Sequence, residues 1–131
     1  MRILLDTHCL LWWLGDPEQF NKKAFALFLD PRQDLVISSV VSWEISIKTS
    51  LGRLRLPKPY KTILGELFEG SQFSSLSIEH AHAMTAGGLP SHHADPFDRL
   101  LIAQSITEKL PILTADRLFK KYPVELVWAR R

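Results

Sequence analysis

Short, unbroken apolar runs alternate along this chain with longer segments in which apolar residues recur at helical spacing. Parallel strands buried on both faces have this unbroken apolar character, and the helices between them cover the two faces of the sheet. The runs predict strands at residues 3–5, 35–37, 73–78, 112–114 and 124–128. The periodic segments predict helices at residues 8–14, 18–29, 40–51, 60–69, 79–86, 96–109 and 117–122. The fold class expected from this alternation is α/β, with a mostly parallel central sheet between helices.

The composition is that of a globular protein that needs no covalent cross-links. Hydrophobic residues make up 46% and charged residues 23% of the 131 residues, and a chain of this length can bury a substantial core. No repeat, low-complexity tract or linker divides the sequence, so we expect a single domain over residues 1–131. The one cysteine, Cys9, excludes an internal disulfide. The absence of a disulfide suits the reducing cytoplasm, where we expect the protein. The apolar run at residues 9–14 is far shorter than the roughly 20 residues that a membrane-spanning helix needs.

The charge balance excludes a strongly basic nucleic-acid-binding protein. Sixteen basic and 14 acidic residues leave a net charge of +2. Local contact with a nucleic acid, through an acidic metal site flanked by basic residues, remains compatible with this balance. Lys48, Arg53 and Arg55 form one small basic stretch. It either meets RNA phosphates or is simply a solvated face.

Four carboxylates are placed where a parallel sheet would bring them to one edge. Asp6 and Asp116 follow predicted strands, and Glu44 and Asp98 lie near the starts of predicted helices. Because strand ends and the following helix starts share an edge in such folds, we expect these side chains to converge. Two carboxylates 4 Å apart repel by about 4 kcal/mol at an effective dielectric constant of 20. The group should therefore hold Mg²⁺ or Mn²⁺, which prefer oxygen ligands and can hydrolyse phosphodiesters.

Each acid also has an ordinary structural role open to it. The acids at the starts of predicted helices could cap those helices or interact favourably with the helix dipole. These acids are Asp6, Asp95, Asp98 and Asp116. Glu44 can instead form an ion pair with Lys48, four residues further along a helix. None of these roles requires the acids to meet, so the residues alone leave both interpretations open.

Four segments spread over the chain carry a more specific pattern. They are residues 3–8 (ILLDTH), 38–48 (SSVVSWEISIK), 89–104 (LPSHHADPFDRLLIAQ) and 112–116 (ILTAD). Together and in this order they resemble the PIN domain family, specifically the VapC-type toxins of type II toxin–antitoxin pairs. The third segment is the most distinctive.

The resemblance implies a PIN-like three-layer α/β/α sandwich and a Mg²⁺- or Mn²⁺-dependent endoribonuclease that a cognate antitoxin neutralises. It places the family's four acids, as catalytic metal ligands, on Asp6, Glu44, Asp98 and Asp116. Asp95 is then either a further ligand or a helix cap. Thr7 and Thr114 are either hydroxyls at the site or plain strand-end residues. Arg99 either holds Asp98 or a phosphate, or is an ordinary surface residue.

The histidines are less informative than the acids. His92 and His93 adjoin Asp95, but adjacent histidines rarely bind one ion together. A loop position or an RNA contact is therefore favoured over metal ligation. His80 and His82 flank the start of a predicted helix and are expected on the surface.

The tryptophans suggest one contact surface. Trp12 and Trp13 are adjacent, so we expect one in the core and the other at an antitoxin or homodimer interface. Trp43 and Trp128 are expected to pack in the core.

Two other functions compete with a ribonuclease. A phosphatase of the haloacid-dehalogenase type also begins with a strand and an aspartate, but it has a second aspartate where this chain has His8. A non-catalytic PIN-like module that binds a partner would need the acids only as caps. The RNA target and the antitoxin are not encoded in any of these motifs.

Overall fold

The apolar runs form one five-stranded sheet in the computed structural model, which describes residues 1–131. The strands are β1 (Arg2–Leu5), β2 (Asp34–Ser38), β3 (Phe73–Leu76), β4 (Ile112–Thr114) and β5 (Leu126–Trp128). The helices are α1 (Thr7–Gly15), α2 (Lys22–Leu29), α3 (Ser39–Ser50), α4 (Tyr60–Glu69), α5 (His80–Gly87) and α6 (Pro96–Glu108). Short 3₁₀ turns span Pro17–Gln19 and Arg117–Lys121.

The strand order is β3-β2-β1-β4-β5, and every neighbouring pair is parallel. The chain therefore builds outward from β1 on one side and then crosses to β4 on the other. This reversal is a topological switch point, and it puts the carboxyl ends of β1 and β4 next to each other. The predicted α/β sandwich with a parallel sheet is confirmed.

The core consists of the three interior strands, β2, β1 and β4, and the helix faces that cover them. Ile3, Leu4 and Leu5 of β1 are fully buried, as are Ile112 and Leu113 of β4. Their unbroken apolar character is what burial of a strand on both faces requires. None of the helices is long and apolar enough to cross a membrane.

One predicted helix is divided in the structure. The helix expected at residues 18–29 is a 3₁₀ turn followed by α2, with Asn21 between them. The Asn21 side chain caps α2 by accepting the backbone N–H of Ala24 (2.8 Å) and donates to the carbonyl oxygens of Trp128 and Arg130. These contacts with the far end of the chain fix an extended residue where the apolar pattern alone predicts a continuous helix.

Four predictions about burial are wrong, one of them for Trp128, which is expected in the core and is only half-buried in β5. His82, expected on the surface, is 1% exposed, because its ring lies between α5 and α6. Trp43, expected in the core, is 53% exposed. Trp12 and Trp13 are both half-buried, because each ring packs on a phenylalanine next to or within α2.

Candidate metal centre

Asp6 lies directly after β1, at the switch point of the sheet. Its Oδ1 accepts the backbone N–H of Cys9 (2.8 Å) and so caps α1, while its Oδ2 accepts the Thr114 hydroxyl (2.5 Å) at the end of β4. Asp6 is 3% exposed, and burial raises the pKa of its carboxyl above the usual value. Helix capping and membership of a site are therefore not alternatives for Asp6.

Glu44 reaches the same edge from the second turn of α3. Its Oε1 accepts the Thr7 hydroxyl (2.6 Å), and its Oε2 accepts the Lys48 ammonium (2.6 Å). The predicted pair with Lys48 is confirmed, but the Glu44 carboxylate is buried and not on an exposed helix face. Thr7 therefore holds Glu44 beside the end of β1.

Asp95 and Asp98 lie at the start of α6 and have different roles there. Asp95 is the N-cap, because its Oδ1 accepts the backbone N–H of Asp98 (3.3 Å) and that of the residue before it (2.8 Å). The pKa of Asp98 is raised to about 8, mainly by burial and then by four nearby carboxylates, in decreasing order Asp95, Asp6, Glu44 and Asp116. The structure thus brings all the predicted acids close to Asp98.

His93 stands between two of these acids. Its Nε2 is 2.8 Å from Asp116 Oδ2 and 3.0 Å from Asp98 Oδ2. Its Nδ1 accepts the backbone N–H of Asp95 (3.2 Å), so the ring proton is assigned to Nε2, which donates to the carboxylates. Asp116 also caps the following 3₁₀ turn through the backbone N–H of Leu118 (2.9 Å). The ligand atoms of the histidine and the two acids lie within 4.8 Å of one another.

A loop at residues 88–95 carries His93 into the pocket, and two side chains hold that loop in place. The Arg99 guanidinium donates to four carbonyl oxygens, those of Ala86 (2.9 Å), Leu89 (2.9 Å), Pro90 (3.0 Å) and His93 (3.3 Å). The Tyr122 hydroxyl accepts the backbone N–H of His93 (2.9 Å) and donates to the carbonyl of Pro90 (2.7 Å). Arg99 makes no hydrogen bond with Asp98, so it supports the loop and does not hold that carboxylate.

His93 is the site residue that the sequence analysis undervalued, because it was weighed together with His92. The two side chains diverge. His92 is exposed with its ring against Tyr122 (centroids 5.3 Å apart), whereas His93 is 9% exposed. The available signal was local: His93 precedes the N-cap by two residues, so its ring can accept a backbone N–H from residue i+2, as Asp and Asn side chains do.

The chemistry of the pocket fits a hard divalent cation. A pKa near 8 means that Asp98 keeps its proton at neutral pH, because its carboxyl is shielded from water and negative charge is concentrated around it. A doubly charged cation would relieve the same excess, and Mg²⁺ and Mn²⁺ favour carboxylate oxygens. While the Nδ1 of His93 accepts the Asp95 N–H, its Nε2 is a donor to the acids and not a metal ligand.

The acidic pocket adjoins a cavity of about 440 Å³ that carries positive charge. Asp6 and Asp116 line it together with Arg117 and Arg130. The Arg130 guanidinium lies over the ring of Trp12, 5.5 Å from its centroid. Cations beside a carboxylate cluster allow a polyanion to approach acids that would otherwise repel it.

Comparison with known proteins gives matches along nearly the whole chain. Residues 3–125 match the PIN domain family. Ribonuclease VapC22 of Mycobacterium tuberculosis (strain ATCC 25618 / H37Rv) is 27% identical over 121 residues, which cover 92% of this chain and 91% of that protein. Ribonuclease VapC16 of the same strain is 33% identical over 73 residues, which cover 54% of this chain and 52% of that protein.

Solved structures have the same fold at low identity. A chain in the crystal structure of VapBC2 from Rickettsia felis, bound to a DNA fragment from their promoter, aligns with a TM-score of 0.73 at 18% identity, covering 98% of this chain and 99% of that chain. FitAcB from Neisseria gonorrhoeae aligns with a TM-score of 0.63 at 19% identity, covering 98% and 97%. The resemblance seen in the sequence is confirmed, and the chain belongs to the PIN domain family.

Proposed function

We propose that this protein is a metal-dependent endoribonuclease of the VapC type, which hydrolyses phosphodiester bonds in RNA. The observation that carries the proposal is the convergence at one pocket of Asp6, Glu44, Asp98 and Asp116, where the pKa of Asp98 is raised to about 8. Two relatives named Ribonuclease VapC support RNA as the substrate class.

These four carboxylates would hold Mg²⁺ or Mn²⁺, with Asp95 as the helix cap outside the ligand set. Such an ion, when bound, supplies a reactive water and stabilises negative charge on a phosphodiester during in-line displacement. In the overall reaction, the oxygen of water bonds to phosphorus, one P–O ester bond breaks and the leaving oxygen gains a proton. The acids need to be ionised for this role, so Asp98 must lose its proton when the cation binds.

The other polar residues of the site orient the carboxylates. The donors are Thr7 and Lys48 to Glu44, Thr114 to Asp6, and His93 to Asp98 and Asp116. They set the directions of the carboxylate oxygens before a cation or a substrate arrives, and such outer partners strengthen a metal site. The cations of the adjoining cavity, Arg117 and Arg130, are placed to attract the RNA backbone.

An antitoxin is the proposed protein partner. The structural neighbours include VapBC2 from Rickettsia felis and a toxin–antitoxin complex from Klebsiella pneumoniae. A homodimer and a cytoplasmic location, both predicted from the sequence, remain part of the proposal.

Substitution of single acids tests the nuclease. Asp98→Asn and Glu44→Gln should each lower the rate of Mn²⁺-dependent RNA cleavage by about 100-fold or more, because each weakens charge stabilisation worth several kcal/mol. The control is Glu69→Gln, an exposed carboxylate at the end of α4 that forms no ion pair. Cleavage of purified RNA is followed with Mn²⁺, Mg²⁺ or EDTA, with circular dichroism to check folding. Full activity of Asp98→Asn, or wild-type cleavage in EDTA, would refute the proposal.

The capping bonds of Asp6, Asp95 and Asp116 are equally suited to a non-catalytic partner-binding module. Such a module has no need for Glu44 and Asp98, which cap no helix, to lie beside the other acids, where Glu44 is buried and Asp98 half-buried. Calorimetry that finds no binding of Mg²⁺ or Mn²⁺ at millimolar concentration would favour the module. A phosphoryl group trapped on Asp6 would favour the phosphatase.

A further inference from the structure

A large exposed aromatic side chain lies beside the acidic pocket. Trp43 is 53% exposed, although it immediately precedes the buried Glu44 in α3. Its indole packs edge-to-face against Phe97, the residue before Asp98, with ring centroids 5.0 Å apart. Phe97 is half-buried, so this contact fixes the indole while leaving much of its surface open to solvent.

The faces of α3 place Trp43 between two different surfaces. Successive residues of a helix are rotated by about 100° around its axis. Glu44 and Lys48, which are bonded to each other at the acidic pocket, lie to one side of Trp43. Ser42 and Ser46 lie to the other side and line a separate cavity of about 700 Å³ between α3 and α4. A strand that leaves the acidic pocket around α3 therefore meets Trp43 before it reaches this cavity.

The α3–α4 cavity carries cations and hydroxyl groups, and none of its lining residues is a carboxylate. Lys58 is paired with Glu66 outside the lining (2.5 Å). Arg55 and Lys61 are exposed and form no ion pair. Together with the hydroxyl of Ser46, these two free cations provide the donors that bind backbone phosphates.

We propose that Trp43 and the α3–α4 cavity form one subsite for single-stranded RNA, in which a base stacks on the indole and two neighbouring phosphates bind Arg55 and Lys61. The subsite rests on the proposed function, because it takes the phosphate that is cleaved to lie in the acidic pocket. Any base has a face that can stack, so this contact strengthens binding with little sequence preference. Trp43 binds substrate in this assignment and takes no part in the chemistry.

A second copy of the chain, or another protein, is the competing occupant of the exposed indole. The neighbouring surface favours RNA, since it offers Arg55 and Lys61 without a compensating acid. A polyanion satisfies both cations along one strand, and the same strand passes the acidic pocket.

Binding is measured in EDTA and in an Asp98→Asn background, so that cleavage is suppressed, by fluorescence anisotropy of fluorescein-labelled, random-sequence single-stranded RNA. Trp43→Ala should weaken binding by about 5- to 140-fold, the range for loss of one stacked base. Trp43→Phe should retain most of the affinity, while the quenching of tryptophan emission by RNA should be largely lost. Arg55→Ala/Lys61→Ala should reduce the slope of log K against log salt concentration by about 1.4, since two phosphate contacts are removed.

Two matched controls separate these effects from general loss of apolar surface or charge. Met84→Ala removes a side chain that is 72% exposed on α5, and Lys22→Ala/Lys23→Ala removes two exposed cations on α2. Both should bind RNA as tightly as the background protein does. Calorimetry should also give the same Mn²⁺ affinity for the wild-type protein and for the single variant Trp43→Ala, both of which keep Asp98.

Failure of the subsite differs from failure of the nuclease. RNA affinity of Trp43→Ala within twofold of the background protein would overturn the subsite, even if the wild-type protein cleaves RNA. Loss of self-association in Trp43→Ala with unchanged RNA affinity would also overturn it and assign the indole to a protein interface. Binding that depends on Trp43 in a protein that never cleaves RNA would support the subsite and reject the proposed catalysis.

Discussion

Two buried histidines in this protein have nearly the same local geometry but different surroundings. His82 is 1% exposed and His93 9%. The Nδ1 of each ring accepts a backbone N–H from its own stretch of chain, at 2.9 Å and 3.2 Å. The Nε2 of His82 lies 3.0 Å from Glu108, and that of His93 lies 2.8 Å from Asp116. His82 lies within α5 and His93 in a loop, but the two rings have the same pattern of hydrogen bonds.

What differs is the charge around them. His82 faces one carboxylate, that of Glu108, whose side chain is 36% exposed, and the contact joins α5 to α6. His93 faces a second acid, Asp98, on which the charges of further carboxylates act. A histidine–carboxylate pair is therefore a structural contact in one region and part of a candidate metal centre in the other. The excess of negative charge around His93 is what distinguishes the candidate metal centre from the structural contact of His82.

That excess predicts a pH dependence centred on Asp98. The pKa of this carboxyl is raised from 3.8 to about 8, so between these values the folded protein keeps a proton that the unfolded chain loses. Without a cation, Asp98 should therefore lower the free energy of unfolding as pH rises from about 4 to about 8. A cation must displace this proton, so the affinity for Mn²⁺ should rise by about tenfold per pH unit well below the pKa, and by about 50-fold from pH 6 to pH 8.

Calorimetry in buffers of different ionisation enthalpy measures the proton released when Mn²⁺ binds, and melts in EDTA measure the stability slope. Asp98→Asn should remove the Asp98 contribution to both. A wild-type affinity that does not change between pH 6 and pH 8 would contradict the raised pKa.

Exchanging the two histidines for smaller residues tests the comparison directly. His93→Ala should weaken Mn²⁺ binding by about 10- to 100-fold, because Asp98 and Asp116 lose the donor that orients them. His82→Ala is the matched control, since its ring has the same kind of bonds outside the acidic pocket, and its Mn²⁺ affinity should not change. Tighter Mn²⁺ binding by His93→Ala would show instead that the histidine competes with the cation.

The sequence predicted the sheet and the convergence of the acids because both depend on local pattern and chain order. β4 has the predicted bounds, Ile112–Thr114, since an apolar run buried on both faces permits few alternatives. Asp6 and Asp116 follow neighbouring parallel strands, and Glu44 and Asp98 begin helices at the same edge. The strand order itself was not predicted, but a general rule for the edges of parallel sheets was sufficient to bring the acids together.

Side-chain direction could not be predicted in the same way. The loop at residues 88–95 points His93 inward because Arg99 and Tyr122 bind its backbone, and no spacing in the sequence encodes these contacts. Trp43 was assigned to the core by its residue type, whereas its position between two faces of α3 leaves it exposed. Asn21 interrupts an apolar pattern because its amide binds carbonyls near the end of the chain.

The hydrogen bonds from Arg99 to the loop at residues 88–95 can be weakened without changing the positive charge at that position. Arg99→Lys should lower the free energy of unfolding by about 2–3 kcal/mol, because an ammonium cannot reach the four carbonyls that the planar guanidinium contacts. Mn²⁺ affinity should fall as well, since the loop that carries His93 is loosened. Chemical denaturation and calorimetry measure the two effects, with Lys in place of the exposed Arg53 as the control. A loss of stability with unchanged Mn²⁺ affinity would separate the loop from the metal centre.

The smallest expected effect concerns His82, the histidine outside the acidic pocket. His82→Asn should lower the free energy of unfolding by about 1–2 kcal/mol, because the contact with Glu108 is lost while the shorter amide can still accept the N–H at the start of α5. RNA cleavage per folded molecule should stay at the wild-type level. Urea denaturation and a cleavage assay below the unfolding transition measure these quantities. A loss of cleavage without loss of stability would mean that the His82 contact, although made at the end of α6, positions the helix that carries Asp98, and the two histidines would then belong to one functional unit.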